Sequence, residues 1–217
     1  MRKTQKKTQK KTQKKRKAME VYAICVLHDN KNNVHGHVKF TQKKNKKVKV
    51  SYEISGLADG EHGFHVHEYG DLSDGCTSSC SHFNPFHTNH GGRHSKERHV
   101  GDLGNVISKN KLAKGSFHDK MISLDLKSKC CIVGRCIVIH ADRDDLGKGG
   151  DEESLKTGNA GKRLACGVIG LSKKKMLNKN LNYFYVFRVF FLLNLLTRPF
   201  VYFSFLARVI CFFVSSL

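Results

Sequence analysis

The sequence predicts an all-β domain, an antiparallel sandwich or barrel, and three observations carry that reading. Several short stretches are rich in β-branched and aromatic residues, none makes a convincing helix, and long Gly-, Ser- and His-rich segments lie between them. Residues 21–27, 34–40 and 47–54 come first. In the third, Lys47-Val-Lys-Val-Ser-Tyr-Glu-Ile alternates polar and apolar side chains, the period of a strand with one buried face. Residues 63–68, Gly-Phe-His-Val-His-Glu, read as extended, and 121–126, 136–140 and 164–169 as further short strands. Two long loops are expected at 70–101 and 141–161, and loops of that length in a compact domain are usually functional. A chain of 217 residues is expected to form one domain with a sizeable core.

A net charge of +21 suggests a nucleic-acid binder, but its distribution does not. Residues 2–17 hold ten Lys or Arg and no acid; residues 173–217 hold seven and no acid. Those ends account for seventeen of the net charges, leaving +4 on the body. The first segment repeats Lys-Thr-Gln-Lys three times with no apolar residue before Ala18 apart from Met1. It cannot bury enough surface to offset the entropy of ordering, so it is expected to be a disordered tail. It also lacks the apolar core of a secretory signal. Its readings are a solvated low-complexity tail, a nuclear-import signal, or contact with nucleic acid or an anionic surface.

The chemistry concentrates in an ordered set of seven residues: His65, His67, His82, His90, His99, Asp102 and His140. In an extended segment, side chains two apart share a face, so His65 and His67 can grip one ion. The next histidines follow at intervals suited to a long loop folding back on that strand. Six imidazoles and one carboxylate are enough for two adjacent metal sites. They fit copper and zinc better than calcium, magnesium or an iron–sulfur cluster. Seven histidines are spare, namely His28, His35, His37, His62, His87, His94 and His118, of which His87 and His94 fall inside the ligand loop.

The residues around these ligands carry a family resemblance. His65-Val-His-Glu-Tyr-Gly-Asp, Gly75-Cys-Thr-Ser, His82-Phe-Asn-Pro, His90-Gly-Gly, Arg98-His-Val-Gly-Asp-Leu-Gly-Asn, Asp144-Asp-Leu-Gly-Lys-Gly-Gly, Glu152-Glu-Ser, Lys156-Thr-Gly-Asn-Ala-Gly and Arg163-Leu-Ala-Cys-Gly-Val-Ile-Gly occur in that order. Together they resemble copper/zinc superoxide dismutase over about residues 21–172. The resemblance implies a Greek-key, immunoglobulin-like β-sandwich or barrel, a fold for which superoxide dismutase is a stock example. It implies superoxide as substrate, with dioxygen and hydrogen peroxide as products. His65, His67, His82 and His140 would bind copper. His82, His90, His99 and Asp102 would bind zinc, with His82 bridging the metals and carrying a proton.

Asp144 would be the carboxylate that hydrogen-bonds ligands of both metals. Arg163 would position the anion beside copper, while Lys156, Thr157, Glu152 and Glu153 would shape the approaching field. Outside their motifs, Glu152 and Glu153 would read as surface charges. A homodimer is implied, with 167–170 at the interface. The rival reading is a metal-binding module without turnover, a copper sink or a decoy for a copper chaperone; such relatives typically lack a ligand or the arginine, and here all are present.

Of eight cysteines, the resemblance pairs Cys76 with Cys166 in a disulfide that pins the ligand loop to the last strand. Cys25 and Cys136 read as buried strand thiols, and Cys130, Cys131 and Cys211 as further thiols. Cys80 departs from the family pattern: four residues after Cys76 and two before His82, it is placed to compete for the disulfide or for metal.

The expected divisions are 1–19, a basic tail; 20–172, the dismutase-like domain; and 173–217, a hydrophobic basic extension. In the extension Arg188, Arg198 and Arg208 recur every ten residues and Pro199 interrupts the middle, too frequent a charge for a simple membrane span. Residues 181–217 read as an interfacial anchor or re-entrant hairpin with Lys173–Lys175 at anionic headgroups, as an adventitious tail, or as an oligomer contact. The expected location is cytoplasmic, with nuclear or membrane-associated placement as the alternatives.

Overall fold

Eight antiparallel strands follow one another around a closed barrel in the computed structural model, which describes residues 20–28 and 33–174. The strands are β1 (Glu20–His28), β2 (His35–Lys43), β3 (Val48–Ser55), β4 (Gly60–His67), β5 (Asp102–Lys109), β6 (Leu112–Asp119), β7 (Cys136–His140) and β8 (Arg163–Leu171). Their order around the barrel is β1-β2-β3-β6-β5-β4-β7-β8, and β8 pairs with β1 to close it. The chain crosses over between β3 and β4 and again between β6 and β7, the long returns of Greek-key connections. Closure pairs the terminal strands β1 and β8 with each other, while β5 and β6 meet only at Ser108–Ala113 and Lys109–Leu112. The expected basic tail, 1–19, and residues 175–217 of the expected hydrophobic extension, including Cys211, lie outside the described residues.

The period-2 pattern does what it predicts. Cys25 and Leu27 on β1, Val38 and Phe40 on β2, Val48, Val50 and Ile54 on β3, and Phe64 and Val66 on β4 all face the core. Beside Phe64, Tyr52 and Phe117 form a tilted aromatic group with centroids 5.9–6.4 Å apart. Such pairs add about 0.5–1.5 kcal/mol beyond burial.

Residues 121–126 are not a strand. Asp119 Oδ1 accepts the N–H groups of Met121 and Ile122 at 2.7 and 3.0 Å, and Gln42 Oε1 accepts that of Leu124 at 2.7 Å. Side chains thus take donors that a ladder would use, and only an isolated pairing of Ser123 with Cys131 remains. The apolar signal was real, because Ile122 and Leu124 are buried. Conversely, β5 and β6 were not anticipated. They form a hairpin turning at Asn110–Lys111, both at positive φ (53° and 60°), the conformation of a tight two-residue turn. One short helix, α1 (Ser154–Thr157), interrupts the second long loop and ends at Gly158 with φ 69°. The two long loops then lie where expected, between β4 and β5 and between β7 and β8.

Candidate metal centre

Because β4 sends Phe64 and Val66 inward, His65 and His67 emerge on the outer face of the barrel. The loop after β4 folds back over them. Val66 N–H donates to the Gly101 carbonyl, Phe83 N–H to the Val66 carbonyl and Gly101 N–H to the Phe83 carbonyl, each at 2.9 Å. That return brings His82 beside His67 and sets His90, His99 and Asp102 next to it, while His140 arrives as the last residue of β7. A disulfide between Cys76 and Cys166 ties the loop to β8. All seven predicted ligands are buried.

Hydrogen bonds fix which ring nitrogen of each histidine is free. His65 Nε2–H donates to Asp144 Oδ2 at 2.9 Å, leaving Nδ1 buried without a partner. His67 Nδ1–H donates to the Cys80 carbonyl at 2.7 Å, and His140 Nδ1–H to the Gly161 carbonyl at 3.1 Å. Their Nε2 atoms therefore carry lone pairs, and these face each other 3.3 Å apart. His82 Nε2 is likewise buried and unpartnered. Four lone pairs on His65, His67, His82 and His140 thus converge, with their ligand atoms all within 4.8 Å of one another. Neutral imidazoles crowded this way repel unless a cation lies between them.

The second set adjoins the first through His82. Asp102 Oδ2 accepts N–H groups from His99 (2.7 Å) and Gly91 (3.0 Å), which turns Oδ1 toward the rings. Three Nδ1 atoms lie at 2.9, 3.0 and 3.1 Å from that one oxygen, those of His82, His90 and His99. His90 Nε2–H donates to Asp144 Oδ1 at 2.8 Å, so its Nδ1 has a lone pair to offer and no hydrogen-bond partner. Three nitrogens and one carboxylate oxygen make the donor set of a tetrahedral zinc site. Both sets fit the metals that their donor types call for.

Asp144 links the two sets, one oxygen to His65 and the other to His90, and is itself held by Asn105, whose side chain bonds the Asp144 backbone at both N–H and carbonyl, each at 2.8 Å.

Electrostatics agree with this arrangement. Burial disfavours the charged form and pushes His65 and His140 down to about 4 and His82 to about 3. His90 is also opposed by burial, yet the flanking carboxylates of Asp102 and Asp144 push it up to about 9. Asp102 and Asp144 stay ionised, since hydrogen bonds from the histidines outweigh the burial that would raise them. His65, His82 and His140 kept neutral and carboxylates kept charged are the states that bind metal, whereas His90 must give up a proton to do so.

A surface pocket opens over the first set, lined by His67, His82 and His140 and also by Cys80, Glu153, Thr157 and Arg163. Arg163 is clamped at its rim. Nη1 donates to the Cys76 and Thr77 carbonyls at 2.6 and 3.1 Å, and Nη2 to the Cys80 carbonyl at 2.6 Å. Thr157 Oγ1–H donates to Glu153 Oε1 at 2.7 Å. Lys156 is exposed and paired with Glu152 at 2.6 Å, away from the pocket lining. Cys80 is an exposed free thiol outside both ligand sets, and His87 and His94 join neither.

Two positioning groups escaped the sequence reading. His62, counted as spare, is buried with Nδ1 at 3.0 Å from the His140 carbonyl and Nε2 at 2.9 Å from the Ala58 carbonyl, tying the end of β7 to the β3–β4 connection. Arg98, read only as part of a motif, is buried and pairs with Asp119 at 2.6 Å while its Nη1 donates to the Asp102 carbonyl. Neither spacing nor residue type separates His62 from a ligand.

Residues 34–169 match the profile of the family described as copper/zinc superoxide dismutase. A superoxide dismutase [Cu-Zn] of Paramecium bursaria Chlorella virus 1 is 60% identical over 156 residues, covering 71% of this chain and 80% of that protein. One from Saccharomyces cerevisiae is 53% identical over 155 residues, covering 70% and 99%. An extracellular superoxide dismutase [Cu-Zn] of Brugia pahangi is 50% identical over 157 residues, covering 69% and 76%.

Proposed function

The chain belongs to the copper/zinc superoxide dismutase family, and on that premise we propose a role for each residue of its metal centre. The reaction is the conversion of two superoxide radicals and two protons to dioxygen and hydrogen peroxide. Copper supplies the one-electron couple when bound, and zinc supplies a fixed positive charge that lowers the pKa of a shared imidazole. His65, His67, His82 and His140 hold copper; His82, His90, His99 and Asp102 hold zinc. His82, common to both sets, takes up and returns a proton at Nε2, the buried atom that has no protein partner. Asp144 orients His65 and His90 together, so one carboxylate fixes the tautomers on both sides.

Arg163 offers the approaching anion a guanidinium at the pocket rim, pre-set by three backbone carbonyls. Glu153 and Thr157 line the same pocket, and the Glu152–Lys156 pair adjusts the field further out. The observation that carries this reading is the convergence of four lone pairs on one point beside a clamped arginine.

We further propose that the catalytic domain is residues 20–172 and that it forms a homodimer. Tyr69, Val168 and Leu171 leave large apolar side chains 52%, 40% and 59% exposed. Gly70 packs close to Val168, which brings the exposed Tyr69 segment beside β8. Among the described residues no helix is long and apolar enough to cross a membrane. A cytoplasmic location is our proposal; cell fractionation tests it, since one relative bears the name extracellular.

The test is superoxide dismutation by the full chain loaded with copper and zinc, beside Arg163→Ala. Rapid turnover that drops by about 10-fold or more in the variant is expected, the scale of electrostatic steering. Stoichiometric metal without turnover would overturn the reading in favour of a copper sink.

A further inference from the structure

Among the described residues five cysteines are free thiols, and Cys80 is the exposed one, whereas Cys25 and Cys136 are buried. Cys80 is not isolated from other sulfur. It closes the same short turn that Cys76, one half of the disulfide, opens: Cys80 N–H donates to the Thr77 carbonyl at 3.2 Å, and Ser79 Oγ–H to the Cys76 carbonyl at 2.8 Å. A single guanidinium then gathers both ends, because Arg163 binds the Cys76 and Cys80 carbonyls at 2.6 Å each. A free thiol and a disulfide sulfur therefore share one turn of backbone.

Cys80 also holds φ 64° with ψ −145°, a combination that residues bearing a side chain adopt at a cost. Any rearrangement that moves Cys80 out of this conformation releases that strain. Cys166, the other half of the disulfide, sits against Cys136 and Val138, on the strand that the bond anchors.

We propose that Cys76, Cys80 and Cys166 form a thiol–disulfide switch that ties and unties the ligand loop. The Cys80 thiol gives up its proton and the thiolate attacks Cys76 Sγ. A Cys76–Cys80 bond forms as the Cys76–Cys166 bond breaks, and the electron pair leaves on Cys166 Sγ, which takes up a proton. One disulfide and one thiol remain throughout, so no external oxidant or reductant takes part. The native pairing spans 90 residues and tethers the loop to β8, whereas the exchanged pairing is local to the loop and tethers nothing. The closed, metal-binding fold favours the first; release of the loop favours the second. Exchange would also loosen the carbonyls on which Arg163 rests.

The experiment reads linkage rather than turnover, so its outcome is separate from that of the dismutation assay. Full-length oxidised protein is stripped of metal with a chelator at about pH 8. It is then alkylated without reduction and mapped by mass spectrometry after tryptic cleavage. Cys76 and Cys80 lie on one tryptic peptide, 50–93, and Cys166 on another, 164–173. The proposal predicts that chelation converts cross-linked peptides into an unalkylated 50–93 with an internal disulfide and a 164–173 alkylated at Cys166. In Cys80→Ser, alkylated Cys166 falls by at least an order of magnitude, and in Cys80→Gly, which relieves the positive φ, it falls equally. Cys166 that stays unalkylated in the wild type, Cys166 alkylation in either variant as high as in the wild type, or a retained cross-link with the label on Cys76 would each overturn the switch.

Discussion

Asp144 receives one N–H from His65 and another from His90, on separate oxygens. An Asp144→Asn side chain keeps only one acceptor oxygen, so one of the two rings must lose its bond and its fixed tautomer. Loss of such a partner typically costs 10–100-fold in metal affinity. Chelator competition on Asp144→Asn is expected to show a loss of about that size, and unchanged affinity for both metals would refute the linking role.

The same residues set a pH signature in the metal-free protein. His65 and His140 are held at about 4 against an ordinary 6.5, so between those values the unfolded chain binds more protons than the folded one. Stability is therefore lost as pH falls from 6.5 toward 4. His90, pushed up to about 9, acts in the opposite sense: its contribution is present below 6.5 and is lost as pH rises through 9. Urea midpoints of the metal-free protein should decline on both sides of about pH 6.5, and a midpoint that is flat with pH would contradict the burial account.

The two clusters were legible in the sequence because their residues are numerous, ordered and embedded in motifs. His62 was not, since a buried histidine that clamps two carbonyls looks the same in sequence as one that holds a metal.

At the scale of elements, the ligand loop holds its place through three backbone hydrogen bonds among Val66, Phe83 and Gly101. The approach is close enough to require glycine: a Cβ on residue 101 would stand 2.2 Å from the Val66 carbonyl oxygen. Gly101→Ala must push the loop from β4, and overpacking of this kind costs about 1–3 kcal/mol. Urea unfolding should report a loss in that range, together with weaker metal retention, whereas wild-type stability would show that the loop yields freely.

Strand legibility followed the same physics. Residues 47–54 alternate cleanly because one face is core and the other solvent, and they form β3. Residues 121–126 have the apolar content of a strand, but Asp119 and Gln42 satisfy their backbone from the side. The β5–β6 hairpin hid because its strands contain Gly104, Asn105, Lys114 and Gly115, and because Asn110–Lys111 is a less familiar turn pair than Asn–Gly.

At the scale of the molecule, the dimer proposal rests on the exposed apolar side chains of Tyr69, Val168 and Leu171. Charged substitutions at Val168 and Leu171 together should give a monomer in sedimentation velocity, and an unchanged dimer would place the interface elsewhere. The fold class was legible from the alternation, and barrel closure was not, because a sandwich and a barrel share inward and outward periodicity and differ only in how the last strand meets the first.

The central claim is that one buried histidine serves two adjacent sites. Anomalous diffraction from crystals of the metal-loaded full chain, collected at the copper and zinc edges, tests it most directly. The account predicts a copper peak enclosed by His65, His67, His82 and His140 and a zinc peak enclosed by His82, His90, His99 and Asp102. A single metal position, or a second peak that leaves His82 bound to one ion alone in the oxidised protein, would contradict it.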